Sequence, residues 1–139
     1  MRRELRSRAV IGVTFLDDWN MARKMGVNVL VIGANETTAA LVDASRTVLT
    51  EPVIALHCTS RLPSFDIVGT LVLHDVWSLG SIDQYRLDAW LSGGDHPQVI
   101  STSPVSIFPL VNAGLFLGSL YYHLNTFCLD ARTPVTDRG

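Results

Sequence analysis

The stretch VLVIGANETTAALV, residues 29–42, decides the fold of this chain. It begins with the apolar run VLVI, which predicts a buried strand. Gly33 ends this run, and we expect a helix to begin at Thr37 or Thr38. A strand, a tight turn and a helix are the unit from which parallel α/β sheets are built. Further units of this kind should therefore follow along the chain.

Other apolar runs alternate with helical patterns along the rest of the sequence. Continuous apolar strands that alternate with helices predict a parallel sheet covered on both faces. We therefore expect one α/β domain over residues 1–139, built as three α/β/α layers with five mostly parallel strands and a basic leader at 1–10. The predicted strands are 28–32, 52–57, 70–74, 98–102 and 126–129. The predicted helices are 15–25, 38–48 and 81–91, and helical segments are predicted to fill residues 105–123.

Two predicted helices show which side chains should face the core. Thr14 is a suitable cap for the first helix. Apolar residues at helical spacing are expected to pack against the sheet. In the first helix these are Phe15, Trp19 and Ala22, and in helix 81–91 they are Ile82, Tyr85 or Arg86, Ala89 and Trp90.

The composition is that of a globular domain. The 139 residues are 47% apolar and 17% charged, which suffices for one hydrophobic core. A net charge of −2 provides no electrostatic footprint for nucleic acid. Cys58 and Cys128 are too few for a disulfide framework, so we expect a reducing cytoplasmic location.

One long segment, residues 99–129, has no Asp, Glu, Lys or Arg. It also holds the spacing G-x-x-x-G between Gly114 and Gly118, which packed membrane helices use. However, Pro104, Pro109 and several polar residues interrupt it, whereas a span needs about 20 mostly apolar residues in a row. We expect a buried helix pair and an edge strand here, and no membrane contact.

Polar residues gather where the predicted strands end. In parallel sheets ligands bind beyond the carboxyl ends of the strands. Histidine, cysteine and aspartate are also zinc ligands, and a cysteine beside a histidine is a candidate nucleophile. The histidines, Cys58 and Asp75 lack the spacing that is standard for zinc ligands, and no third group is placed to orient a Cys–His pair. We therefore favour a core cysteine and a rim of polar residues. The residues at these strand ends are His57, Cys58, His74, Asp75, Thr102 and Ser103.

The turn after the first strand stands where a phosphate-binding P-loop would lie. A P-loop wraps phosphates with backbone N–H groups, neutralises them with a lysine and holds Mg²⁺ with Ser or Thr. The only lysine of the chain is Lys24, which precedes the strand. The candidate nucleotide positions are Gly33, Ala34, Asn35, Glu36, Thr37, Thr38 and Ala39, together with His74 and Asp75.

Several stretches, taken in order, resemble the AAA+ domain of bacterial sigma-54-dependent transcription activators. VLVIGANETTAALV is similar to its strand–Walker A–helix unit, and VGTLVLHDVWSL to its Walker B stretch G-G-T-L-F-L-D-E-V-x-x-L. PVIALHCTSRLP resembles P-F-V-x-V-N-C-A-A-L-P, and QVISTSP resembles R-V-I-A-A-T-N. AGLFLGSLYYHLNTFCL resembles A-G-R-F-R-E-D-L-Y-Y-R-L-N-V-F-P-I. The resemblance implies a P-loop NTPase-like fold.

The resemblance also implies that the catalytic positions are replaced. Thr38 stands at the second conserved glycine of Walker A, and Ala39 stands at its lysine. His74 and Asp75 stand where the family has the Asp that holds magnesium and the Glu that activates water. Pro104 stands at the sensor Asn. Because removing such groups from phosphoryl-transfer enzymes costs orders of magnitude in rate, we expect no ATP hydrolysis.

The region that is rich in arginine in the family is apolar here. In the family this surface faces the nucleotide of the next subunit, and an exposed apolar patch usually marks an interface. Leu115, Phe116 and Leu117 are therefore predicted to form an interface, with burial in the core as the alternative. Compared with the family, the segment between Pro63 and Gly69 lacks several dozen residues, which would carry the sigma-54-contacting G-A-F-T-G-A loop. We also expect this domain to have no helical lid.

These features predict a catalytically inactive domain that acts in bacterial transcriptional regulation through protein contact. The expected partner is a second copy or a full sigma-54 activator, and DNA would be reached only through a parent-protein domain. No cofactor is expected, although a helix N-terminus still allows weak ATP or ADP binding, which Glu36 opposes. The alternative is a domain that senses a nucleotide or small molecule without hydrolysis.

Overall fold

The computed structural model describes residues 16–132. The predicted leader, Thr14 and Phe15 lie outside the described residues. The helices are α1 (16–25), α2 (Asn35–Ser45), α3 (Ser81–Ser92), α4 (Phe108–Asn112) and α5 (Gly118–Leu124). The strands are β1 (Val29–Ile32), β2 (Val53–His57), β3 (Thr70–His74), β4 (Gln98–Ser103) and β5 (Phe127–Asp130). Short 3₁₀ turns follow α2 and β3 at Arg46–Val48 and Val76–Ser78.

The five strands form one sheet in the order β2-β3-β4-β1-β5, and each neighbouring pair is parallel. The predicted α/β class with five parallel strands is confirmed. The register brings strand ends together, because Ile32 lies beside Ser103 on one side and Asp130 on the other. At the far end of the sheet His57 lies beside His74. The predicted rim of polar residues therefore runs along the carboxyl ends of the strands.

Apolar side chains pack on both faces of the sheet. One face carries α3 and α5, and its core includes Leu71, Leu73, Leu87, Leu91, Leu120 and Leu124. The other face carries α1 and α2, and its core includes Trp19, Ala22, Val29, Val31, Val42 and Ile100. Each fully buried Leu or Val side chain contributes about 1.5–3 kcal/mol to folding. The predicted burial of Trp19 and Ala22 is confirmed, and the Trp19 indole N–H donates to the Ser45 hydroxyl at 2.9 Å.

Helix α2 begins earlier than the sequence indicated. Its first residue is Asn35, whereas the predicted start was Thr37 or Thr38. The resembled loop is held open by glycines, which favour non-helical backbone conformations. Here Thr38 stands at the second of those glycine positions and lies within the helix. The helix therefore continues back almost to Gly33.

The predicted packing face of α3 is wrong for Ile82, Tyr85 and Ala89, which are exposed. Trp90 packs against the core as predicted, and Arg86, the alternative to Tyr85, is half-buried. Ile82 and Tyr85 are 60% and 63% exposed, whereas Asp83 and Gln84 are buried. Leu87 and Leu91 complete the buried face. Polar residues face inward here because each meets backbone groups from another segment, which offsets the cost of burying them.

The connection from β2 to β3 crosses to α3 without a helix of its own. The Leu62 N–H donates to Asp83 Oδ2 at 2.8 Å. Arg86 donates to the Leu62 carbonyl at 2.8 Å and to the Pro63 carbonyl at 2.9 Å, and its guanidinium lies 5.2 Å from the centre of the Phe65 ring. These contacts hold the connection against α3.

The charge-free segment 99–129 folds into part of β4, two short helices and most of β5. The predicted helix pair and edge strand are confirmed, since α4 and α5 precede β5, which is the last strand beside β1. The predicted burial of the pair is wrong for α4, which has no buried residue, whereas α5 buries Leu120 and Leu124. Within residues 16–132, no helix has the length and apolar character that crossing a membrane requires.

Candidate functional site

The turn between β1 and α2 is closed by contacts with neighbouring strand ends. The Gly33 N–H donates to the Ser103 carbonyl at 2.9 Å, and the Ala131 N–H donates to the Ile32 carbonyl at 2.6 Å. A Cβ atom at Gly33 would lie 3.1 Å from Ala131 Cβ and 3.4 Å from Thr38 Cγ2. Glycine therefore serves close packing at this position, and two side chains occupy the space beside it.

The first turn of α2 uses the N–H groups that a phosphate loop would present to its ligand. The Thr37 and Thr38 N–H groups both donate to the Ala34 carbonyl, at 2.9 and 3.0 Å. The Thr38 side chain is buried, and its hydroxyl donates to the Asn35 carbonyl at 3.2 Å. In a P-loop these N–H groups point at the phosphates. Here they stabilise the helix.

The charges around this turn do not favour a polyphosphate. Ala39 is half-buried at the position of the resembled lysine, and Glu36 is exposed in the first turn of α2. Lys24, the only lysine, is exposed on α1. The turn therefore supplies one negative charge and no positive charge from its own residues, 33–39.

Two histidines stack where β2 and β3 end. The ring centres of His57 and His74 are 4.9 Å apart with 24° between their planes. A hydrogen bond of 3.3 Å joins His74 Nδ1 to the Thr102 hydroxyl on β4. Burial lowers the pKa of His74 below its ordinary 6.5, and the neighbouring His57 lowers this pKa further. At neutral pH His74 thus presents a neutral imidazole where the resembled family holds magnesium with a carboxylate.

Asp75 and Cys58 follow these histidines. Asp75 has a left-handed backbone, with φ at 57°, and its carbonyl accepts hydrogen bonds from the Ser78 N–H and hydroxyl at 3.0 and 2.7 Å. Burial raises the pKa of the Cys58 thiol to about 12, and the carboxylates of Asp75 and Asp83 add to this increase. A thiol with this pKa is neutral at physiological pH, which opposes a role as nucleophile. No three His, Cys, Asp or Glu side chains within residues 16–132 cluster as a metal site would require.

The predicted interface patch is not a continuous exposed surface. Leu115 is 67% exposed, whereas Phe116 is only 3% exposed and belongs to the core under α3 and α5. Leu117 is partly buried against the same core, and its N–H donates to Gln84 Oε1 at 2.8 Å. The exposed-patch prediction is therefore wrong for Phe116, because the Gln84 amide also donates to the Leu115 carbonyl at 3.1 Å and holds this loop inward.

Sequence reasoning missed Gln84 and Ala131. Nothing in the sequence indicated that Gln84 is buried, because a polar residue between Ile82 and Tyr85 in a helix is usually solvated. Ala131 closes the turn beside Gly33, but a small residue after a strand carries no signal of such contact.

At the level of sequence, no protein-family model matches the chain, and neither does any curated protein. Solved structures do match it. NtrX from Brucella abortus in complex with ATP superposes with a TM-score of 0.69 at 14% identity, over 92% of this chain and 38% of that one. The P-loop NTPase domain of a sigma-54 transport activator from E. coli superposes with a TM-score of 0.53 at 21% identity, over 79% of this chain and 91% of that domain.

The chain has the fold of an AAA+ P-loop NTPase domain. The RuvB Holliday junction branch migration motor of Thermotoga maritima also superposes, with a TM-score of 0.59 at 13% identity over 88% of this chain and 44% of that one. The chain spans less than two fifths of the length of NtrX. At these identities the likeness establishes the AAA+ fold, and the site must be judged on its own residues.

Proposed function

We propose that this AAA+-type domain is a catalytically inactive relative of sigma-54 activator domains and acts in transcriptional regulation through protein contact. The observation that carries the proposal is the early start of α2. Because the Thr37 and Thr38 N–H groups bond to the Ala34 carbonyl, they do not form the cradle that a triphosphate needs. Opening it would break two helical hydrogen bonds.

The surrounding side chains support the same conclusion. Ala39 provides no cation, and the neutral His74 provides no carboxylate for magnesium. Phosphoryl transfer depends almost entirely on positioning and charge stabilisation. A domain without these groups keeps the fold of an ATPase domain, and this fold can still bind another protein and so act in regulation.

Nucleotide chemistry is tested by phosphate release and by calorimetry with Mg-ATP at millimolar concentration. We expect neither turnover nor saturable binding for the natural chain. The double variant Thr38→Gly, Ala39→Lys is the matched comparison, because it restores the glycine and the lysine together and should gain heat of binding. Turnover by the natural chain that Asp75→Asn abolishes would overturn the proposal.

Partner contact is tested at the exposed part of the predicted interface. Leu115→Arg is the appropriate variant, because Leu117→Arg would bury a charge against the core. Cosedimentation with an intact sigma-54 activator from the same source should weaken for Leu115→Arg. Met25→Arg is the control, since Met25 is 63% exposed on α1. Equal binding by both variants would remove Leu115 from the interface.

A second candidate function is sensing of a nucleotide or small molecule without hydrolysis. The observation that favours it is the polar rim of His57, His74 and Thr102 at the carboxyl ends of the strands, where parallel sheets bind ligands. Saturable binding without phosphate release in the same calorimetric experiment would favour this function over partner contact.

A further inference from the structure

Strand β2 is the last strand of the sheet, and no strand among residues 16–132 pairs with its outer edge. The Cys58 N–H donates to the His74 carbonyl, and the Thr70 N–H donates to the Pro52 carbonyl. The even-numbered residues of β2 therefore bond to β3, because N–H and C=O of one residue point to the same side of a parallel strand. The outward-facing backbone groups belong to Val53, Ala55 and His57.

β2 lacks the features by which edge strands usually avoid pairing. Its sequence, VIALH, has no charged residue and no proline, and its register with β3 is unbroken. The opposite edge differs, because β5 ends at Asp130, whose carboxylate is paired with Arg132 at 2.6 Å. Within residues 16–132 both edge strands are unpaired on their outer side, and β2 is the one without a charged residue.

The side chains of β2 are also incompletely covered. The connection to β3 is drawn toward α3 by Asp83 and Arg86, which leaves a groove of about 270 Å³ between β2 and residues 63–68. Ile54 and Leu56 line this groove, and Ile54 is 36% exposed. Val68, at its rim, is 72% exposed. A mostly apolar groove, which Ser64 and Asp66 also line, thus lies directly beside an unpaired strand edge.

We infer that two copies of this chain pair through β2, antiparallel about Ala55, to form one continuous sheet. In this register Ala55 lies opposite Ala55 of the second copy, and Val53 lies opposite His57. These are the outward-facing residues, so opposite pairs exchange their N–H···O bonds. Ile54 lies opposite Leu56 on the groove side, where cross-strand apolar pairs stabilise a sheet.

A second copy fits this edge better than an unrelated strand because the edge complements itself in charge. The antiparallel arrangement places exposed Glu51 at the amino end of β2 near the carboxyl end of the second strand, which is followed by Arg61. The Arg61 side chain is 70% exposed, and its Nε lies 3.8 Å from Asp83 Oδ1 of its own copy, so a contact with Glu51 would replace this weak ion pair. A two-fold contact uses the same surface patch on both copies, so the assembly is complete as a dimer.

The contact is small, so the dimer should be weak, with a Kd of roughly micromolar or higher. A regulatory role for this dimer rests on the proposed function. The pairing of two β2 strands does not depend on that function and can be tested separately. A chain that hydrolyses ATP and dimerises through β2 overturns the proposed function alone. An inactive chain that stays monomeric overturns this inference alone.

The test is sedimentation equilibrium of the full chain over a wide concentration range. Ala55→Pro is the decisive variant, because it removes one outward N–H group and leaves the even-numbered bonds to β3 intact. Ile54→Lys is the second variant and places a charge in the groove. Ile82→Lys is its control, since Ile82 is 60% exposed on α3.

We expect the natural chain and Ile82→Lys to pass from monomer to dimer as concentration rises. Ile54→Lys and a folded Ala55→Pro, checked by circular dichroism, should remain monomeric, with at least a tenfold loss of association. A monomeric natural chain at every concentration would overturn the inference and leave the edge to a strand of another protein. Dimerisation of both β2 variants, or assembly beyond the dimer, would overturn it as well.

Discussion

The carboxylate of Asp83 accepts a hydrogen bond from the Leu62 N–H at 2.8 Å, and so joins α3 to a segment 21 residues earlier in the chain. The same carboxylate receives Arg86 at 2.6 Å. The buried charge is thus satisfied by a backbone N–H and a guanidinium, as buried carboxylates require. This pair of contacts organises the connection from β2 to β3 and exposes the groove beside β2.

Asp83→Ala should destabilise the domain by about 2–3 kcal/mol, because a charged hydrogen bond is lost and the buried Leu62 N–H loses its acceptor. Urea unfolding measures the change. Asp43→Ala is the matched control, since the Asp43 side chain is 73% exposed and its ion pair with Arg46 contributes at most about 0.5 kcal/mol. Equal losses for the two variants would contradict this account.

Gly69→Ala should cost about 3 kcal/mol or more. Gly69 has φ at +94°, and a Cβ atom there would lie 2.1 Å from the Pro52 carbonyl oxygen, which is backbone and cannot turn aside. Gly94→Ala separates the two causes, because Gly94 has φ at +86° with open space around it and should cost about 1 kcal/mol. Thermal unfolding of both variants tests this, and a similar loss at both positions would exclude the clash with Pro52.

His74 should make the domain less stable as the pH falls. Its folded pKa is lowered by burial and by His57, so the unfolded chain binds the proton more readily. No loss is expected above pH 6.5, and stability should fall as the pH drops from 6.5 toward the lower folded pKa. His74→Asn, which keeps a polar atom near Thr102, should reduce the dependence of the melting temperature on pH in this window. An unchanged slope would show that other groups set it.

Only one of the two thiols should react in the folded chain. Cys128 is exposed, whereas Cys58 is buried and has a pKa raised to about 12. A chromogenic disulfide at neutral pH should therefore titrate one thiol in buffer and two in denaturant. Cys128→Ser should leave no rapidly reacting thiol. Rapid reaction in that variant would mean that Cys58 is accessible and would reopen its role as a nucleophile.

The fold was predictable because its signals are local and repeated. The apolar runs that became β1 and β3 are buried on both faces, so a continuous apolar run was a sufficient guide to these two strands. The packing face of α3 was not predictable in this way. Asp83 and Gln84 turn inward because their partners, Leu62 and Leu117, come from elsewhere in the chain.

The candidate site divides in the same manner. Ala39 and His74 could be assigned from the sequence, because a missing lysine or carboxylate is a property of the residue itself. In contrast, the hydrogen bond from the Thr38 N–H to the Ala34 carbonyl, which places Thr38 within α2, could be found only from the backbone structure. The burial of Phe116 required the position of Gln84.

The sequence by itself thus determined the α/β class, the strand order along the chain and the loss of charged groups at the P-loop position, because periodicity and residue chemistry are local properties. Tertiary structure alone decided that the P-loop turn is closed, that Phe116 is buried and that the edge of β2 is open. Each of these depends on hydrogen bonds between distant segments, or on their absence among the described residues, and such partners are set by how the elements pack rather than by any neighbouring residue.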